Sequence, residues 1–277
     1  FLGSDDYGRI QPEISGDAWR RLGGWDPVLE EWNLDPWRIL GRSAILAGVT
    51  TLLCLVIGLP MALAMASVPS RWRPVLLALA VLPACINLVI RTYAWQVLLG
   101  EASPVAGLCE PVGQAVAAEL ATTDPAWWAR ALSGWIAASG SLYPGPVAVY
   151  VGMGSCMLPF AVLPLYQSVE RLDWAVVEAV RDCYGGRWAV LRHGILSQVA
   201  PGLVAALVLT LVPSLGMFVV SDLLGGAKYI LIGNFIQQQF SQNNWPGGAA
   251  AGMVLVLASL AGLIALRRWG GQAGLAR

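Results

Sequence analysis

The sequence predicts an all-α protein, a polytopic bundle of transmembrane helices. Composition is the first ground: of 277 residues 57% are hydrophobic and 12% are charged, about half the charged fraction of a soluble domain, and mean hydropathy is +0.63. The second is five apolar runs, at 39–67, 74–99, 143–168, 198–221 and 247–266, each reaching the roughly 20 residues that cross a hydrocarbon core as a helix. The third is the placing of Trp37, Trp72, Trp95, Trp245 and Trp269 at the ends of those runs, where an amphipathic indole prefers the headgroup level.

The runs are not uniform. The first contains Pro60, the second Pro83, the third Pro159 and Pro164, and the fourth Pro213 with Gly216. In a membrane such breaks persist where protein or a water-filled path satisfies the freed backbone groups. That points to transport rather than to a simple anchor.

Loop charges orient the spans. Arg71 and Arg73 follow the first run, Arg171, Arg181, Arg187 and Arg192 follow the third, and Arg267, Arg268 and Arg277 follow the fifth. The segment 100–142 has only Arg130 against Glu101, Glu110, Glu119 and Asp124, and 222–246 has only Lys228. An excess of Lys and Arg marks cytoplasmic loops. That rule puts 68–73, 169–197 and the C-terminus inside, and the acid-rich residues 1–37 outside. The chain opens FLGSDDYG, with neither Met nor a signal peptide. The expectation is therefore a first span preceding this record, making six in the full protein with both ends inside. The expected division is an extracytoplasmic segment 1–37, a transmembrane domain 38–268 with a cytoplasmic loop 173–194, and a tail 269–277.

The loop EAVRDCYGGRWAVLRHG, Glu178 to Gly194, is polar between two oily runs. Its apolar residues Val176, Val180, Tyr184, Trp188 and Leu191 recur at helical spacing, one stripe of a helix. Glu178 and Asp182 are four apart and share another face. Gly185 and Gly186 interrupt the middle, where each Gly costs about 1 kcal/mol of helix stability relative to Ala. Two short helices with a bend, lying on the inner membrane surface, are expected.

EAVRDCYGG, followed by ILSQVAPG at Ile195–Gly202, resembles the EAA loop of permease subunits of binding-protein-dependent ABC importers. The resemblance implies a coupling helix that docks in a cleft of a separate ATPase subunit, with Glu178, Ala179, Asp182, Tyr184, Gly185 and Gly186 as its contact positions. Val180 stands for the usual second Ala, Tyr184 for the usual Gly, and Ser197 for the usual Pro, so the bend is expected one residue late. NLVIRTYAW (87–95), LPFAVLPLYQSVERLD (158–173), LVPSLGMFVVSDLLGGAKYILIGNFIQQQF (211–240) and NWPGGAAAG (244–252) are together similar to spermidine/putrescine importer permeases, most like the first of the two in that system. These stretches supply candidates for a substrate path: Asn87, Tyr93, Trp95, Gly216 and Asp222. Asp222 is the only acid after Asp182, and a carboxylate at the outer mouth of a bent span could draw in a cation. Locally, an Asp there could equally cap the next helix or pair with Lys228.

The resemblance implies a multi-pass protein of the bacterial inner membrane. Its partners would be a second permease, two cytoplasmic ATPase subunits carrying ATP-Mg, a periplasmic binding protein and membrane lipid. The chain itself has no GxxxxGK[ST] phosphate-cradling loop and calls for no cofactor or metal. Net charge is zero with no basic patch, which argues against nucleic acid. The five cysteines lack metal spacing, and His193 stands alone, without a nucleophile. The outer segment 101–142, longer than such permeases usually have, reads as a surface elaboration. The alternatives are a permease for another small solute, and a self-contained channel or secondary transporter. The latter would carry ionisable relays in mid-span, whereas the runs hold little beyond Arg42 and Arg91 near their ends.

Overall fold

The computed structural model describes residues 2–4, 10–14, 19, 25–26, 31–32, 35–100, 143–226 and 230–274. The expectations for the outer segment 101–142, for Lys228 and for the basic side chains of the tail fall outside the described residues, as does most of 1–34. Two short antiparallel ladders, β1 (Leu2–Ser4) with β2 (Ile10–Ile14) and β3 (Trp25–Asp26) with β4 (Glu31–Trp32), precede the helices. Everything described after them is helix and connection.

Among the described residues four helices are long and apolar enough to cross a membrane: α1 (Asp35–Ser67), α4 (Pro146–Glu170), α6 (Arg187–Gly216) and α9 (Trp245–Gly274). The fifth expected span is broken. Residues 74–99 form α2 (Arg73–Val81), a tight turn Leu82–Cys85, and α3 (Leu88–Leu99), with a 91° bend between the two limbs. Pro83 withholds a backbone donor there, Ile86 is extended, and the Asn87 side chain accepts from Val89 N–H at 2.8 Å to start α3. The bend also explains a charge in an oily run: Arg91 Nη1 donates to Pro83 O at 2.6 Å, supplying a donor at the point where the helix breaks.

The fourth run, expected at 198–221, is placed differently. Its helix α6 begins eleven residues earlier, at Arg187, passes through a π-helical turn at Val190–Ile195, and stops at Gly216. Ser197 retains the N–H that a proline would lack, so the helix continues through it. Past Met217 the chain restarts as α7 (Val219–Gly225) and then α8 (Ile232–Ser241). The remaining short helix, α5 (Trp174–Tyr184), lies between α4 and α6. At the far end α9 continues as helix past the expected boundary at 268.

Helix α4 is the centre, packed against α1, α6 and α7. Ala148, Val149, Met153, Ala161, Val162 and Leu165 are almost wholly enclosed. Lipid is as apolar as a side chain, so close packing of small residues holds such helices together. Gly202 shows how close: a Cβ there would overlap Ser168 Oγ and stand 2.9 Å from Pro164 O. Two buried hydroxyls of α6 are satisfied within the helix, Thr210 donating to Ala206 O at 2.8 Å and Ser214 to Thr210 O at 2.7 Å. Ser43 does more, donating to Ile39 O and accepting from Ile232 N–H at 2.8 Å, which ties α1 to the free first turn of α8. Outward faces are oily instead: Leu52, Val56, Leu79, Ile90 and Val97 are all exposed, as a lipid-facing surface requires.

Candidate functional site

The loop between α4 and α6 is built by specific side chains. Asp173 ends the turn after α4, and its carboxylate accepts from Ala175 N–H at 2.9 Å, capping α5. Val177 faces inward and is buried against Gly194 in the π turn. At the other end Gly185 takes the left-handed conformation, φ 65°, and donates to Arg181 O at 2.9 Å, closing the helix. Tyr184 is still helical and the turn falls on Gly185. Gly186 is extended, and α6 starts at the next residue.

Val177 packs against the rest of the chain; of the apolar stripe, Val180 and Leu191 are half-buried and the other members are exposed. Trp174, Val176, Tyr184 and Trp188 are 54%, 42%, 66% and 71% exposed. Glu178, Ala179, Asp182, Gly185 and Gly186 are exposed with them. The result is a surface of apolar groups interspersed with two carboxylates. Among the described residues neither Glu178 nor Asp182 forms an ion pair. His193 stacks on Tyr184, ring centroids 5.5 Å apart and nearly parallel. The second limb is not the short surface helix expected but the first turns of α6.

Two groups that sequence reasoning missed hold this loop. The Gln198 amide bonds Asp173 and Gly194. Behind the loop, Arg73 donates to Ala66 O at 2.9 Å and Val68 O at 3.0 Å, and lies 3.7 Å from Glu170, which also accepts from Tyr166. Arg73 thus caps the C-terminus of α1 and joins it to the end of α4. The sequence signal for both was a lone polar residue at the edge of an apolar run, with no hint of its partner.

The five path candidates separate into two places. Asn87, Tyr93 and Trp95 belong to α3, with Tyr93 exposed and Trp95 half-buried against the core. Asp222 is exposed in the first turn of α7, which packs on α3 and α4 through the enclosed Val220 and Leu224. Gly216 lies elsewhere, on the wall of a cavity of about 560 Å³ with Phe218, Gln237, Phe240 and Ser241. Asp222, Asn87, Tyr93 and Trp95 do not line that cavity. Asn234 braces the junction, its Oδ1 accepting from Ser221 at 3.0 Å and its amide donating to Phe218 O at 3.4 Å. Among the described residues no group of three His, Cys, Asp or Glu could hold a metal.

Residues 54–269 match the family described as binding-protein-dependent transport system inner membrane component. The chain belongs to that family. It is a multi-pass inner-membrane transport component. A spermidine/putrescine transport system permease protein, PotB, of Haemophilus influenzae is 35% identical over 226 residues, 80% of this chain and 72% of that protein. The protein of the same description from Escherichia coli K12 is 33% identical over 270 residues, 97% of this chain and 86% of its own. An inner membrane ABC transporter permease protein of Escherichia coli K12, YdcU, is 28% identical over 221 residues, 79% of this chain and 67% of its own. A chain in the crystal structure of a bacterial ABC transporter involved in the import of the acidic polysaccharide alginate has the same fold. Its TM-score is 0.58 at 16% identity, covering 95% of this chain and 85% of that one.

Proposed function

We propose that the chain is one permease of an ATP-driven importer for a small cationic solute of the spermidine or putrescine type. A periplasmic binding protein delivers the solute, and a second permease completes the path. Two cytoplasmic ATPase subunits, which carry the ATP-Mg, drive the cycle. The solute class rests on the likeness to the two permeases described for spermidine and putrescine. A permease for another small solute is the second reading, since the same family fold also serves alginate import.

The observation that carries the coupling role is the outward face of α5 and the glycine turn. Three large apolar side chains on α5, Trp188 just beyond the glycine turn, and two carboxylates without an ion pair among the described residues stand exposed on a surface that is firmly braced from behind. Exposed apolar area of that kind marks a protein contact, and Glu178 and Asp182 suit a partner presenting donors around an apolar cleft. Closure of the ATPases on ATP would displace α5 and, through α6, turn the path from inward-open to outward-open. Glu178→Lys reverses a charge on the docking face and leaves every packed residue alone. In proteoliposomes holding the complete importer, uptake per ATP hydrolysed should fall at least about fivefold, within ordinary coupling strengths. Uptake per ATP at the unmodified level would remove α5 from the coupling role.

A further inference from the structure

Helix α5 is attached to α6 covalently at one end only, through Gly185 and Gly186. The first of these is in the left-handed region and the second is extended, and a glycine pair leaves the angle between two helices poorly fixed. In the middle the contact is apolar, Val177 against Gly194. The far end of α5 continues from α4 through the buried Leu172, and its link to α6 there is one side chain. Gln198 Oε1 accepts from the Asp173 N–H at 3.0 Å, and Gln198 Nε2 donates to Asp173 O at 3.3 Å and to Gly194 O at 2.9 Å.

The amide thus pairs with both main-chain groups of Asp173, the residue whose carboxylate caps α5. A carboxamide offers one acceptor oxygen and two N–H donors, and here the oxygen and nitrogen are both engaged. Pairing in both directions fixes orientation as well as distance, which a single bond or an apolar contact does not. The third bond, to Gly194, anchors the amide to the π turn four residues earlier on its own helix. The glycine turn and the Gln198 amide tie both ends of α5 to α6; without the amide only the turn and the apolar Val177 contact join the two helices directly.

We infer that Gln198 is a positioning residue that makes α5 and the start of α6 move as one body, so that a push on α5 reaches the membrane-spanning helix. This rests on the coupling role proposed for α5, and the experiment separates the two. Gln198→Leu keeps the bulk and removes all three bonds. The complete importer carrying it is reconstituted beside the unmodified and Glu178→Lys forms. Assembled complex, ATP hydrolysis and spermidine uptake driven by the liganded binding protein are measured for each. The expected result is normal assembly with uptake per ATP lowered at least about fivefold. A merely structural role would lower the amount of complex, and uptake and hydrolysis in proportion, with the ratio intact; that outcome overturns the proposal. If Glu178→Lys uncouples and Gln198→Leu does not, the clasp is wrong and the coupling role stands. If neither uncouples, both fail. Should Leu prevent assembly, Gln198→Glu is measured instead, because it still accepts from the Asp173 N–H but has no donor. A smaller fall in the ratio is then expected, and an unchanged ratio overturns the proposal.

Discussion

At its N-terminal end α6 is held by side-chain contacts with α5, and at its C-terminal end by close packing of its backbone against Gly233. The first turns are joined to α5 by the Gln198 amide and by Val177 seated on Gly194. The last turn stops at Gly216, where the chain bends into α7 beside a cavity of about 560 Å³. If α5 is the coupling element proposed above, one end of α6 receives its motion and the other borders the cavity, and the two are separated by the length of a helix.

The comparison breaks most completely if the helix loses its seat on α4. Gly202→Leu would drive a side chain into Ser168 and Pro164 at the α4–α6 crossing. Overpacking of this kind usually costs about 1–3 kcal/mol, and Pro164 O is backbone that cannot rotate away. The expected outcome is little or no monodisperse protein extracted from membranes, with Gly202→Ala partly recovered. Normal yield of the Leu variant would mean that α4 and α6 are not closely seated.

A smaller effect is expected at the turn. Gly185→Ala places a Cβ at φ 65°, a conformation that costs an L-residue about 1–2 kcal/mol. Open space surrounds that position, so no clash adds to it. Thermal unfolding of the purified importer should shift down by a few degrees at most, while uptake per ATP drops because the turn relaxes toward another geometry. An unaltered ratio would show that the turn's conformation is not what sets α5.

The smallest effect belongs to the Gly216 end. Asp222 is exposed on α7 and off the cavity wall, so Asp222→Asn should leave assembly and coupling intact. If its charge attracts a cationic solute, uptake is slower at low ionic strength and converges on the unmodified rate as salt is raised. Equal rates at low salt would reduce Asp222 to a helix-end acid in the first turn of α7, where the dipole favours it.

What was readable in the sequence follows from physics that acts locally. The spans α1, α4 and α9 were visible as apolar runs because burial in lipid demands them, and the turn at Gly185 because adjacent glycines weaken a helix. The early start of α6 was hidden by Arg187, Arg192 and His193, which end a hydropathy run without ending a helix. The break at Gly216 was flagged by Pro213 with Gly216, but the run was carried past it because Leu215, Met217 and Phe218 stay oily. Periodicity picked out a stripe through Val176 but not Val177, the adjacent valine that packs inward. Gln198 and Arg73 act across 25 and 97 residues of chain respectively, a distance at which pattern carries no signal.

Helix α6 also has a mechanical property. Gly202, its closest approach to α4, stands fifteen residues after Arg187 and fourteen before Gly216. At 1.5 Å per residue each arm is roughly 20 Å long. A rod bearing on a neighbour at its midpoint behaves as a seesaw. If α6 tilts as a rigid rod about that bearing, its two ends move in opposite directions by nearly equal distances. A push of a few ångströms at the glycine turn would then arrive at the Gly216 cavity reversed in sense and unchanged in size.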